Sequence, residues 1–140
     1  MSNILSEIQA SRLVDVFKHD ERILVAYMFG SKSRGLQTTE SDTDIAVLLY
    51  ELPKNLLDYY LDLMERLSTV LGDSIDLVVL NTAPPLLKHQ VIKYGKILYS
   101  RDEEARVEFE ARAIKEYLDF TPRSDEYDEV LIEEMSKWKG

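Results

Sequence analysis

Apolar residues recur along this chain in two alternating rhythms, one helical and one extended. After a polar Ser2-Asn3 start, Ile4, Leu5, Ile8, Leu13, Val16 and Phe17 return at roughly helical spacing and predict a first helix. Residues 23–29 then form a continuous apolar run that stops at Gly30, the signature of a buried strand ending in a turn. Residues 45–50 form a second such run. Between Pro53 and Gly72, the residues Leu57, Tyr60, Leu61, Met64, Leu67 and Leu71 line one helical face at steps of three and four. Residues 75–80 predict a third strand, closed by Asn81-Thr82-Ala83-Pro84-Pro85. Those prolines end extended structure and open a short helix carrying Leu86, Leu87, Val91 and Ile92. Gly95 ends that helix, and residues 96–99 predict an edge strand.

From Asp102 onward the pattern is helical, broken at Thr121-Pro122 because the residue before proline resists helical geometry. The first of the two helices carries one stripe of Val107, Ala111, Ile114 and Leu118 and another of Phe109, Ala113, Tyr117 and Phe120. Both stripes must be buried, in the protein's own core or against another chain. The last helix carries Tyr127, Val130, Leu131, Met135 and Trp138, flanked by Asp and Glu. No repeat, low-complexity tract or flexible linker interrupts the chain. Residues 1–140 therefore read as one α/β domain, a small mixed β-sheet flanked by helices, with a helical extension over 101–140 used for partner contact.

Composition narrows the class. At 45% hydrophobic and 31% charged residues, the 140-residue chain is ordinary for a globular protein with a proper core. No apolar run approaches the ~20 residues needed to cross a bilayer, and no basic segment leads into an apolar one at the start. The absence of cysteine excludes disulfides, thiolate metal sites and cysteine nucleophiles. These features lead to the expectation of a cytoplasmic protein without membrane contact. A net charge of −9 argues against broad nucleic-acid binding, which needs surplus Lys and Arg, yet allows one small phosphate site. Residues 1–100 carry 13 acidic and 10 basic side chains, and residues 101–140 carry 13 and 7, so the extension is the acidic part and suits a basic partner.

The chemistry concentrates in Tyr27-Met28-Phe29-Gly30-Ser31-Lys32-Ser33-Arg34-Gly35 and Ser41-Asp42-Thr43-Asp44-Ile45-Ala46-Val47. A strand ending in Gly-Ser turns sharply and lets the backbone approach a ligand, while free N–H groups at a following helix start suit a phosphate. The Ser31 hydroxyl adds a hydrogen bond, and Lys32 and Arg34 bring positive charge to the turn. Asp42 and Asp44 lie two apart at a strand start, which directs both carboxylates to one side. Two carboxylates within ~4 Å repel by ~4 kcal/mol at an effective dielectric near 20, so the pair calls for a bridging cation. Oxygen-only ligands select a hard metal, and Mg²⁺ takes one or two carboxylates together with substrate phosphates. Asp76 opens the third strand and supplies a third carboxylate if that strand lies beside the second. Such a site suits nucleotidyl transfer with pyrophosphate leaving, Asp76 taking the hydroxyl proton by position.

Gly30-Ser31, ten intervening residues, Asp42-Thr43-Asp44 and a later Asp76 resemble the signature of the nucleotidyltransferase fold shared with DNA polymerase β. The Lys32-Ser33-Arg34-Gly35 continuation, the Gly95-Lys96-Ile97-Leu98-Tyr99 segment and the small size look like its minimal branch. The acidic helical extension looks most like the MntA-type antitoxins, which pair with HEPN-domain ribonuclease toxins. The resemblance implies an antitoxin that uses ATP and Mg²⁺ to attach AMP to a tyrosine of its toxin within a hetero-oligomeric complex. It also implies that Gly30 and Ser31, with Lys32 and Arg34, hold the nucleotide, and that Asp42, Asp44 and Asp76 hold metal and carry catalysis. Lys32 departs from the Arg of many relatives, which keeps the charge but not a bidentate phosphate contact.

Two other readings differ in class: a non-catalytic antitoxin that masks its toxin by binding, and a nucleotidyltransferase acting on a small-molecule hydroxyl. Intact carboxylates favour an enzyme, and a chain this short leaves little room for a small-molecule pocket domain. A lone Gly-Ser or Asp-x-Asp is common; the combination in a strand-turn-helix-strand context carries the argument. Asp73 follows Gly72 and suits a turn better than a metal site. His19 and His89 lack metal-type spacing and are assigned no role. Ser31 has no histidine placed to activate it as a nucleophile. The run Glu103, Glu104, Glu108 and Glu110, interspersed with Arg106 and Arg112, reads as a solvated helix face.

Overall fold

The computed structural model describes residues 7–30, 43–72 and 75–120. Their order is α1 (Glu7–Lys18), β1 (Ile23–Phe29), β2 (Thr43–Leu49), α2 (Leu56–Leu71), β3 (Ile75–Val79), a 3-10 turn (Leu80–Thr82), α3 (Pro85–Tyr94), β4 (Lys96–Ser100) and α4 (Glu103–Phe120). The strands form one mixed sheet in the order β3-β2-β1-β4, with β1 antiparallel to β2 and β4, and β2 parallel to β3. A parallel pair needs a crossover, which α2 provides.

The central strands are continuous apolar runs because both faces of the sheet are covered. Ile45 and Val47 point to one side, against Leu13 and Phe17 of α1 and Leu63 and Leu67 of α2. Ala46 and Leu48 point to the other, against Val91 of α3 and Phe109 and Ala113 of α4. Each fully buried Leu or Phe contributes ~1.5–3 kcal/mol. Tyr27 of β1 is buried too, its hydroxyl donating to Glu110 of α4 at 2.7 Å.

The α/β architecture and all four strands follow the hydrophobic pattern, but the buried faces of two helices differ from it. On α2, Leu57 and Leu61 are 65% and 55% exposed, whereas Leu63 and Leu67 are buried and Leu56, Tyr59, Tyr60, Met64 and Val70 pack beside them. Four of the six residues on the expected face, Tyr60, Met64, Leu67 and Leu71, do meet the core, but the buried face is rotated so that Leu63 joins it and Leu57 and Leu61 do not; the Tyr59 hydroxyl, donating to Asp20 at 2.7 Å, fixes the rotation. On α1, Ile8 is exposed rather than core. The strand β2 begins at Thr43, ahead of its apolar run, because pairing with β1 continues to Phe29 opposite Asp44. Leu80 leaves β3 for the 3-10 turn, where the Asn81 side chain donates to Leu49 O at 2.8 Å and accepts from Leu49 N–H at 2.9 Å. Of the two stripes on α4, Phe109 and Ala113 are buried and Val107, Ile114 and Leu118 are exposed. Ile4, Leu5 and the last helix lie outside the described residues. Among the described residues no helix is long and apolar enough to cross a membrane.

The end of the sheet where β1 starts is pinned by two polar side chains. Asp20 accepts from the Arg22 N–H at 3.1 Å, the Tyr59 hydroxyl and the Arg66 guanidinium at 3.0 Å. Burial, then the bond to Asp20, pushes the Tyr59 phenol well above its ordinary value. Arg101, just past β4, donates to Ile23 O at 3.0 Å, Lys18 O at 3.0 Å, Asp20 O at 3.2 Å and Phe17 O at 3.3 Å. It thereby caps the last carbonyls of α1, which have no partner within the helix. The opposite end of the sheet is where β1 stops, at Phe29.

The contact between α3 and α4 includes His89 stacked on Tyr117, ring centroids 3.9 Å apart, and Lys88 donating to Glu116 at 3.2 Å. The buried His89 Nδ1 has no hydrogen-bond partner. Burial, and then Lys93, lower the His89 pKa below 6.5. Between that lowered value and 6.5 the unfolded chain binds more protons, so this residue's contribution is full above 6.5 and is lost as pH falls. His89→Phe is expected to flatten the fall in urea-unfolding stability between about pH 7 and 5 relative to the parent. Parallel pH curves for the two proteins would contradict it.

Candidate nucleotide and metal site

At that end of the sheet, β1 stops at Phe29 and the chain bends at Gly30, whose φ of +78° lies in the left-handed region. Phe29 pairs with Asp44, which brings the bend beside the second residue of β2. A Cβ at position 30 would collide with Asp44 Oδ2 and lie 3.0 Å from its Cγ. Glycine is therefore required twice, for the backbone angle and for the space the carboxylate occupies.

Asp44 also pairs in register with Asp76, the second residue of β3. Adjacent strands run ~4.8 Å apart and directly opposed residues share a face, so the two side chains leave the sheet on the same side. Asp44 is half-buried and Asp76 exposed. Charges ~5 Å apart repel by ~3 kcal/mol at an effective dielectric near 20, less where solvent reaches Asp76, and a cation between them reverses the sign. Two neighbouring carboxylates, oxygen donors alone and a glycine that leaves room for one of them fit a hard divalent ion such as Mg²⁺.

Of the residues expected at this site, Gly30, Asp44 and Asp76 come together as described. Ser31, Lys32, Arg34 and Asp42 lie outside the described residues. Among the described residues no three His, Cys, Asp or Glu side chains are grouped to hold a metal.

Tyr60 is a neighbour that the sequence pattern treated only as a core residue. Its hydroxyl donates to Leu77 O at 3.1 Å, beside Asp76. Burial, and then the negative charge of Asp76, raise its phenol pKa. The one sequence signal was a tyrosine among leucines on an apolar face, whose hydroxyl needs a partner. A hollow at the far end of the sheet is lined by Asp20, Arg66 and Arg101, which are already engaged in holding the fold.

Gly30→Ala tests this geometry. The substitution forces a side chain into left-handed backbone at ~1–2 kcal/mol and displaces the Asp44 carboxylate. Expected together are a lower unfolding midpoint and weaker binding of ATP with a divalent ion, read by calorimetry. Unchanged nucleotide binding would separate Gly30 from the site.

A mixed sheet with paired carboxylates beside a glycine bend defines a class, and the sequence agrees: the chain belongs to the polymerase beta nucleotidyltransferase family, whose model matches residues 11–104. Within that family it is similar to the protein adenylyltransferase MntA of Shewanella oneidensis, 28% identical over 114 residues that cover 81% of this chain and 80% of that one. A crystal structure of a toxin–antitoxin with AMP-PNP is similar at a TM-score of 0.69 and 27% identity, covering 90% of this chain and 98% of that one. A tri-AMPylated Shewanella oneidensis HEPN toxin in complex with MNT antitoxin offers a chain at TM-score 0.67 and 23% identity, covering 94% and 99%, a likeness of fold.

Proposed function

We propose that this chain is an antitoxin that transfers AMP from ATP to a tyrosine hydroxyl of a HEPN ribonuclease toxin and thereby neutralises it. The reading rests above all on Asp44 and Asp76 standing in register beside Gly30. It is supported by family membership, by the name of the Shewanella oneidensis relative and by the likeness to a toxin–antitoxin that carries AMP-PNP.

Gly30 and Ser31 hold the triphosphate, with positive charge from Lys32 and Arg34. Asp42, Asp44 and Asp76 hold Mg²⁺. When bound, the ion neutralises phosphate charge and stabilises the attacking and leaving oxygens. Asp76 accepts the tyrosine proton as the phenolic oxygen bonds to the α-phosphorus. The bond from that phosphorus to the α,β-bridging oxygen breaks, and pyrophosphate leaves with the electron pair. The product is an AMP–tyrosine phosphodiester on the partner, and the proton passes from Asp76 to solvent. The acidic extension over 101–140 contacts the toxin in a hetero-oligomer.

The experiment is incubation of the chain with α-labelled ATP, Mg²⁺ and the toxin. Label on a toxin tyrosine is expected. A stable complex without label would instead mark a binding antitoxin, and label passed only to a small-molecule hydroxyl would move the acceptor.

A further inference from the structure

The helix α4 turns an apolar seam away from the sheet. Val107, Ile114 and Leu118 are 55%, 40% and 63% exposed, and Ala111 between them is exposed as well. Phe109 and Ala113, which bury the core face of α4, lie roughly 150° round the helix from the centre of that seam. Four apolar residues at steps of four, three and four make the narrow stripe of a two-helix contact rather than scattered surface positions. A contiguous stripe of this kind marks an interaction surface.

We propose that in the free protein the occupant is α4 of a second copy, packed antiparallel about a two-fold axis. Steps of four, three and four read the same in both directions, and a two-fold contact needs a surface complementary to itself. With the axis at the Arg112–Ala113 bond, Val107 of one copy meets Leu118 of the other, and Ala111 meets Ile114. All four seam positions then face an apolar residue, and the smallest of them falls opposite a large one. A parallel pair in register would instead set Ala111 against Ala111 and leave a gap.

Charge agrees with this register. Glu108 and Lys115 each follow a seam residue, so they flank the stripe on one side, and both are exposed with no ion-pair partner among the described residues. The two-fold contact sets Glu108 of each copy beside Lys115 of the other, two pairs of opposite charge where antiparallel helix pairs carry theirs. On the other flank Glu110 falls beside Tyr117 of the second copy, so no like charges meet. The seam runs about 16 Å along the helix, a small interface beside the ~1,200–2,000 Å² of stable complexes. The dimer is accordingly weak, with a Kd on the order of 10–100 μM, and leaves the extension able to exchange onto the toxin. Nothing in this contact depends on adenylyl transfer.

Sedimentation equilibrium of the full chain without toxin, across the micromolar range, tests the dimer. The parent is expected to pass from monomer to dimer as concentration rises, and Ile114→Lys, a change at an exposed position, to stay monomeric with its far-UV dichroism unchanged. Glu108→Lys is expected to weaken the dimer roughly 3–10-fold, and Glu108→Lys combined with Lys115→Glu to recover it. The chain has no cysteine, so introduced thiols read the register. Val107→Cys mixed with Leu118→Cys is expected to give a mixed disulfide under mild oxidation, whereas either variant alone, its two thiols about 16 Å apart, gives little. A monomer at every concentration, a dimer indifferent to Ile114→Lys, or Val107→Cys joining to itself as readily as to Leu118→Cys would overturn the proposal. A Leu118→Cys thiol that resists alkylation in the monomer would also overturn it, by assigning the seam to another part of the same chain. Shielding of that thiol only after toxin is added would overturn it in favour of the toxin.

Discussion

Asp44→Asn is expected to lower adenylyl transfer by at least ~10²–10³-fold with the fold retained. Asparagine keeps the volume that sits over Gly30 and the pairing with Phe29 and Asp76, so the change removes charge without removing shape. What is lost is one oxygen ligand and the charge of one of the three carboxylates proposed to draw a cation to the sheet end. Without divalent ion, the unfolding midpoint of the variant is expected to match or exceed the parent's, because the neighbouring carboxylates no longer repel. Labelled transfer to the toxin and thermal dichroism check the two halves. Insolubility of the variant would point to a structural role for Asp44 instead.

Arg101→Ala is expected to give the largest loss of stability, about 3–5 kcal/mol in urea unfolding with an unchanged m-value. One guanidinium holds carbonyls from the last turn of α1, from the following turn and from β1, and it lies beside the Tyr99 ring at 5.4 Å. Removing it leaves these acceptors to a partly buried corner. Arg101→Lys is expected to recover only part of the loss, because an ammonium cannot span the same fork of acceptors. Arg101 lies at the end of the sheet away from Asp44, so transfer by the folded fraction is expected to stay within about twofold of the parent. A comparable drop in transfer would couple the two ends.

These two residues show what the sequence could disclose. Asp44 was legible because it sits in a motif of fixed spacing, and its partner Asp76 because an apolar run identified the neighbouring strand. The in-register meeting of the two depends on parallel pairing, which the crossover through α2 supplies and no local pattern encodes. Arg101 was invisible. Its partners are backbone carbonyls, which carry no residue type, and they lie about 80 positions away in the chain.

The buried faces of the helices were legible only in part, for a related reason. Periodicity finds an apolar face, but where leucines stand on two sides, as on α2, a polar anchor such as the Tyr59–Asp20 bond decides the rotation. The α4 stripes were both found, and only the packing of Phe109 and Ala113 tells which one meets the sheet. Tyr60 was missed as a neighbour of Asp76 because nothing in its own segment marks the loop closure that brings α2 over β3.

The most direct test of the paired-carboxylate site is manganese binding with ATP, followed by the electron paramagnetic resonance of free Mn²⁺, in the parent, Asp44→Asn and Asp76→Asn. The account predicts ATP-dependent loss of the free-ion signal on adding the parent protein, and at least ~10-fold weaker binding in each folded variant. Equal manganese–ATP binding by all three proteins would contradict it.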